Sequence, residues 1–268
     1  MTDRPFLRDG LALRYRDLGA GLPLLFQHGL GGDDAQVADV MPTSPALRRI
    51  TLECRGQGGS PFGPTAGFSI AGFSDDVAAL ADELSIGPAV IGGISLGAAI
   101  ALRISVRRPE MVRAVILARP AWVTEPAPEN MRPYGLVGDL LQRFAPDEAR
   151  RRFMASETAA ILERLAPDNL NSLAGFFDRA EPRTFGTLLS AIAGDGPGVT
   201  EAEIAAIDRP ALVIGHGQDL AHPEAMAERL AALIPGAELV RVTPKAVDRD
   251  AYRRDFQRAL QSFLGRLT

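Results

Sequence analysis

Pro88 to Ala101 reads PAVIGGISLGAAIA, and the fold is decided there. Gly87 and Pro88 punctuate the start of a β-prone apolar run that includes Val90 and Ile91. Ala98 to Ile104 then continue at helical spacing. Between the two lies Gly93-Ile94-Ser95-Leu96-Gly97. A sharp turn from a buried strand into a helix holds a hydroxyl clear of the backbone, and flanking glycines let the chain turn without a Cβ clash. Ser95 is therefore the first candidate nucleophile. The five-residue pattern alone recurs by chance; the strand before it and the helix after it give it weight.

Upstream, Leu11 to Asp17 alternates apolar and polar residues, Leu22 to Gln27 is continuously apolar, and Arg49 to Glu53 has the composition of another short strand. Ile70, Phe73, Val77, Leu80, Ala81 and Leu84 recur at helical intervals, with Ser69 or Ser74 available as a cap. The helix after Ser95 should run to about Val106, followed by a strand from Val112 to Leu117. Strands alternating with helices predict an α/β fold whose mostly parallel sheet is flanked by helices on both faces.

The rhythm breaks after Ala118. Residues 119–209 contain prolines at 120, 126, 128 and 133, then helical patterns at Leu136–Phe144, Asp147–Met154, Glu157–Leu165 and Phe185–Ile192. No strand pattern interrupts them, so the expected organisation is a core of residues 1–119 and 209–268 carrying a helical lid, or cap, at 120–208. The sheet resumes at Ala211 to Gly215. A helix from Pro223 to Ile234, a strand from Glu238 to Val242 and a helix from Asp250 to Leu264 complete the chain, with Pro223 suited to a first helical turn.

Bulk properties exclude more than they identify. The 268 residues suffice for one large α/β domain. MTDRPFLRDG has no apolar stretch of signal-peptide length and no run of eighteen apolar residues occurs, so neither targeting nor a membrane is expected. The single cysteine, Cys54, permits no internal disulfide and fits a cytoplasmic location; it reads as buried filler. A net charge of −4 without a basic face argues against nucleic acid. The expected partner is a small-molecule substrate. A homodimer stays open, because the pattern does not reveal which apolar residues are exposed. Of 29 Lys plus Arg residues only Lys245 is lysine, which fits a codon bias toward arginine.

Acyl transfer needs a base for the serine proton and donors for the developing oxyanion. The Leu96 amide, directly after Ser95 at a helix N-terminus, is one candidate donor. The other comes from the loop His28-Gly29-Leu30-Gly31-Gly32, with the Leu30 amide the candidate, where glycines let N–H groups approach a ligand.

With these residues the chain resembles the α/β-hydrolase superfamily, in its lid-bearing, serine-nucleophile form, over nearly its whole length. The resemblance rests on the His28–Gly32 loop, Arg55-Gly56-Gln57-Gly58-Gly59-Ser60 after a strand, Gly93 to Gly97, the helical insertion, and Asp219 after the strand Ala211 to Ile214. It implies a Ser95 nucleophile, Leu30 and Leu96 as oxyanion donors, Asp219 as the acid that orients the base, and no cofactor. Members act on esters, lactones, amides, epoxides or carbon–carbon bonds.

One departure matters more than the match. The family's base is a histidine after the last strand, where this chain has Val242-Thr243-Pro244-Lys245-Ala246-Val247-Asp248-Arg249-Asp250. Gln57 also stands where the arginine-glycine loop often carries histidine. The only histidines are His28, His216 and His222. His222, three residues beyond Asp219, could reach toward Ser95 while Asp219 fixes its tautomer, or it could simply line the pocket. Lys245 could serve as a desolvated base, pair with Asp219 or hold an acidic substrate; a solvated loop side chain is the simpler reading. His28 should organise its own loop, though it is also a candidate substrate contact. His216, Asp219 and His222 suggest a metal site only weakly, since no fourth ligand or helical phasing accompanies them, and none is expected.

Arg119 and Trp122 leave a strand end and enter the insertion, so both are candidates for the pocket mouth: Arg119 to hold a carboxylate or phosphate, Trp122 as an aromatic wall. Each has an equal structural alternative, Arg119 paired with an acid and Trp122 packing insertion onto core. The residues favour a small acyl hydrolase acting on an ester, lactone or similar compound through Ser95, with Asp219 and His222 completing the site. Two alternatives remain: a catalytically silent small-molecule binding or sensor protein, and a non-hydrolytic enzyme of the same fold.

Overall fold

A computed structural model describes residues 4–44 and 46–267. Its strands are β1 (Arg4–Arg8), β2 (Leu11–Gly19), β3 (Leu22–Gln27), β4 (Leu47–Leu52), β5 (Ala89–Ile94), β6 (Val112–Ala118), β7 (Ala211–Gly215) and β8 (Glu238–Arg241). They form one sheet in the order β1-β2-β4-β3-β5-β6-β7-β8. β1 pairs with β2, and β2 with β4, antiparallel; every pairing from β4 to β8 is parallel. In register, Leu25 lies opposite Ile91, Ile91 opposite Val115, and Leu117 opposite Val213.

Alternation sorts the strand residues onto two buried faces. Leu25, Ile91, Val115, Leu117 and Val213 join one apolar cluster, while Leu24, Phe26, Val90, Ile116, Leu212 and Ile214 join the other. The first face is covered by α2 (Ile70–Glu83) and α3 (Leu96–Arg107); the second by α1 (Asp34–Val40) and α11 (Arg249–Gly265). This double burial is why the central strands read as unbroken apolar runs. Ser69 caps α2 by accepting from the Gly72 amide at 2.9 Å, whereas Ser74 donates back to the Ile70 carbonyl inside the helix.

Between β6 and β7 lie α4 (Arg132–Arg143), α5 (Pro146–Met154), α6 (Glu157–Leu165), α7 (Pro167–Ala174), α8 (Pro182–Ala193) and α9 (Glu201–Ala205), with no strand among the described residues. α10 (Glu224–Leu233) follows β7, and Pro223 stands just before its first turn rather than within it. The sequence reading lacked β1, α1, α7 and α9. No described helix is long and apolar enough to cross a membrane.

The β5–α3 junction positions the serine. Ser95 has φ 58° and ψ −112°, a conformation that L-residues hold only under constraint. A Cβ on Gly93 would lie 2.5 Å from the Gly97 carbonyl carbon, and one on Gly97 would lie 2.3 Å from the Gln27 carbonyl oxygen at the end of β3. The glycines thus let α3 begin directly against the strand ends. Gly97→Ala must displace that carbonyl, and a cost of about 1–3 kcal/mol is expected from overpacking of this kind. Urea denaturation of the variant measures it.

Candidate active site

Three neighbouring strands turn at their C-terminal ends through residues with positive φ. These are Ser95 after β5, Arg119 (φ 45°) after β6 and Gln218 (φ 55°) beyond β7. The Ser95 amide donates to the Ala118 carbonyl at 2.9 Å and the Arg119 amide to the Ile214 carbonyl at 2.7 Å. Backbone strain held by neighbouring hydrogen bonds marks functional edges, and in parallel sheets ligands sit beyond the carboxyl ends of strands.

A cavity of about 230 Å³ opens there, lined by Ser95 together with the Gly29–Gly32 loop, Arg119, His222, Lys245 and residues of the helical insertion. Ser95 makes no side-chain hydrogen bond to another described residue. The Leu30 and Leu96 amides also lack an acceptor among the described residues. The loop carrying Leu30 is tied on both sides: the Gly29 amide donates to Gln36 Oε1 at 2.6 Å, and the Gly31 amide to Gln57 Oε1 at 2.6 Å. Gln57 therefore has a definite task, bracing this loop.

Asp219 is the most heavily engaged side chain at the site. Its Oδ2 accepts from Arg119 Nε at 3.0 Å and Nη2 at 2.7 Å; its Oδ1 accepts from Asn169 Nδ2 at 3.0 Å and the His222 amide at 3.1 Å. His222 Nδ1 lies 2.9 Å from both oxygens. Burial alone would raise the carboxyl pKa, but the hydrogen bond from the His222 ring and the charge of the Arg119 guanidinium overcome that and hold it below the usual range. Arg119 Nη2, a donor only, also lies 3.2 Å from His222 Nδ1, but the two shorter contacts are with an ionised carboxylate that cannot donate, and these assign the proton to Nδ1 and leave Nε2 its lone pair. Burial, with repulsion from Arg119 added, lowers the His222 pKa below 6.5 despite Asp219, so the ring is neutral at pH 7. No direct hydrogen bond joins His222 to Ser95, although both line the same cavity.

Other expected residues fall differently. Trp122 is not an aromatic wall: it is 1% exposed, lies outside the cavity lining, and donates from Nε1 to the Asp195 carbonyl at 2.9 Å. Burying so large a ring beneath the insertion leaves it no face for a ligand. His28 is not a substrate contact. It is fully buried, with Nδ1 at 2.8 Å from the Gly29 carbonyl and Nε2 accepting from the Cys54 amide at 3.0 Å. Lys245 reaches the cavity but pairs with Asp168 of α7 at 3.1 Å, not with Asp219. Arg119 lines the cavity while its guanidinium is committed to Asp219. His216 packs edge-on against Tyr252, and Cys54 is buried, which pushes its thiol pKa up.

Sequence reasoning missed Asn169 and Arg179. Asn169 Oδ1 accepts from the Leu220 and Ala221 amides at 2.9 and 3.0 Å while Nδ2 holds Asp219, so α7 fastens the loop that carries the acid and the imidazole. Arg179 lines the cavity and donates to the Gly31 carbonyl. Neither lies in a motif, and no local pattern marks them.

Arg119→Met removes the main cation facing a buried carboxylate. The expected loss is about 3–5 kcal/mol of stability, measured by urea denaturation. The His222 pKa should rise in the same variant, because a repelling charge is gone while Asp219 stays; NMR titration of the ring reads this separately.

Comparison with known proteins places the chain. The sequence pattern described as the alpha/beta hydrolase fold matches residues 23–246. The protein named "Putative carbamate hydrolase RutD" of Pseudomonas savastanoi pv. phaseolicola is 32% identical over 231 residues, covering 82% of this chain and 85% of that one. A pimeloyl-[acyl-carrier protein] methyl ester esterase of Aromatoleum aromaticum is 32% identical over 232 residues, covering 81% and 88%. Among solved structures, the enol-lactonase of Burkholderia xenovorans LB400 superposes with a TM-score of 0.72 at 24% identity, covering 96% of this chain and 98% of its own, a likeness of fold. Strand order, helical layers and sequence agree: the chain belongs to the α/β-hydrolase fold family.

Proposed function

We propose that this hydrolase-family protein cleaves a small ester, lactone or similar acyl compound through Ser95, with His222 as the base and Asp219 as the group that orients it. The observation that carries the reading is the contact of His222 Nδ1 with Asp219 at 2.9 Å, on the rim of the cavity that Ser95 lines. It supplies a neutral imidazole of defined tautomer in a chain without histidine after the last strand. In this reading residues 120–208 roof the site.

The chemistry follows from these positions. Ser95 Oγ attacks the acyl carbon as its proton passes to His222 Nε2, and the carbonyl oxygen takes the negative charge toward the Leu30 and Leu96 amides. The tetrahedral adduct collapses to an acyl-serine as the imidazolium proton goes to the leaving oxygen. Water then attacks the ester, giving its proton to His222, and Ser95 recovers a proton as the acid departs. Such serine–histidine hydrogen bonds are often long in substrate-free sites and tighten around the substrate.

A second reading, a silent binding protein, is favoured by two observations: Ser95 and His222 share no hydrogen bond, and Arg119 occupies the acid and depresses the imidazole pKa. A third, non-hydrolytic chemistry on the same fold, would not use Ser95.

A 4-nitrophenyl ester screen with Ser95→Ala and His222→Ala separates the three. Hydrolysis predicts a loss of at least about 10³-fold in kcat/KM for Ser95→Ala and about 10²–10⁴-fold for His222→Ala. Because His222 acts neutral and its pKa lies below 6.5, kcat/KM should rise with pH to a plateau whose limb has its midpoint below 6.5. Turnover untouched by Ser95→Ala excludes this mechanism; stoichiometric binding without turnover supports the second reading.

A further inference from the structure

The charges around the cavity do not cancel. Three cationic side chains line it: Arg119, Arg179 and Lys245. Arg119 is matched by Asp219 and Lys245 by Asp168, at 2.7 and 3.1 Å. Arg179 has no carboxylate partner among the described residues. Its guanidinium donates to the Gly31 carbonyl and its Cζ lies 5.5 Å from the centroid of the Phe185 ring. The acid next to it in sequence, Asp178, pairs instead with Arg150 at 2.6 Å. With His222 neutral, one positive charge is left over at the rim, fixed over the loop that carries the Leu30 amide.

A second cavity of about 370 Å³ extends this field. It shares Gln36, Ile94, Arg119 and Lys245 with the first and adds Arg249, which also has no acidic partner among the described residues, and Asp39, which is paired with Arg253 at 3.0 Å. Two adjoining cavities therefore each present a cation without its own acid. A guanidinium half-withdrawn from water retains most of its donors and favours a planar anion with two acceptor oxygens.

We propose that the site takes substrates bearing a carboxylate a few bonds from the acyl carbon, and that Arg179 recognises that carboxylate. The inference rests on the reading of this cavity as the substrate site. A monoanion fits better than a phosphate dianion, because one unmatched charge faces the cavity beside Ser95. Arg179 reaches the site from the helical insertion and touches the oxyanion loop through Gly31. An anionic substrate held there is fixed relative to both the nucleophile and the main-chain donors, which is how remote binding groups assist the reacting centre.

Binding to the Ser95→Ala protein tests this without turnover. Calorimetry with monomethyl glutarate, which carries one carboxylate, and with dimethyl glutarate, which is neutral, should show the monoester at least tenfold tighter. Arg179→Met should erase that preference and Arg179→Lys should keep part of it, since a charge remains without the planar fork. Equal affinities for the two esters, or a preference that survives Arg179→Met, overturns the proposal. With the unaltered serine, the kcat/KM ratio of mono-4-nitrophenyl glutarate to 4-nitrophenyl valerate should exceed ten and fall at least tenfold in Arg179→Met. If neither ester is cleaved but the calorimetric preference holds, the hydrolytic reading fails and carboxylate recognition stands. If both are cleaved through Ser95 at equal efficiency, carboxylate recognition fails alone.

Discussion

The site depends on one buried carboxylate that must remain charged. Asp219 is withdrawn from water among Arg119, Asn169 and His222, and an uncompensated ion there would be expensive. Its partners come from three separate parts of the chain: the turn after β6, the helical insertion, and the loop after β7 itself. Satisfying this one group therefore fixes the strand ends, the insertion and the imidazole relative to one another. It also fixes the ring tautomer, because a carboxylate that stays ionised has only acceptors to offer.

The arrangement strikes a balance between stability and reactivity. Arg119 makes the ionised acid tolerable, yet its charge works against the protonation that a catalytic imidazole must undergo. Asp219 acts in the opposite sense, but in the resting protein burial and Arg119 prevail. A ring so placed is a weak base that is available at neutral pH. Asn169 ties the acid loop to α7, while Arg179 and Lys245 link the insertion to the Gly31 loop and to the stretch after β8. The insertion is thus bound to the site by polar contacts as well as by apolar packing, and the cavity between them is lined by charge.

Much of this was legible along the chain. The β5–α3 junction was readable because Gly93 and Gly97 have a steric necessity that local sequence expresses, and the inner strands because both of their faces are buried. β1 escaped because only Phe6 of its five residues is buried and Leu7 is 73% exposed at the sheet edge. α1 is short and buries only Val37 and Val40, too little to leave a period. Asp219 and His222 lie three residues apart on one loop, so their proximity was a local matter. Trp122 could not be oriented, since an aromatic ring at a strand end packs inward or outward according to what folds over it. Asn169 stands 50 residues from Asp219 and Arg179 stands 148 from Gly31, and only the tertiary fold brings each pair together. The pairing of Lys245 with Asp168 rather than Asp219 was hidden for the same reason.

The central claim is that His222, held by Asp219, serves Ser95. A crystal structure of the protein after reaction with a 4-nitrophenyl alkylphosphonate tests it directly. The account predicts a phosphonyl group on Ser95 Oγ, its oxygen at the Leu30 and Leu96 amides, and His222 Nε2 within about 3 Å of Oγ or of the remaining ester oxygen. An unmodified Ser95, or an adduct that His222 does not approach while its Nδ1 contact with Asp219 persists, would contradict it.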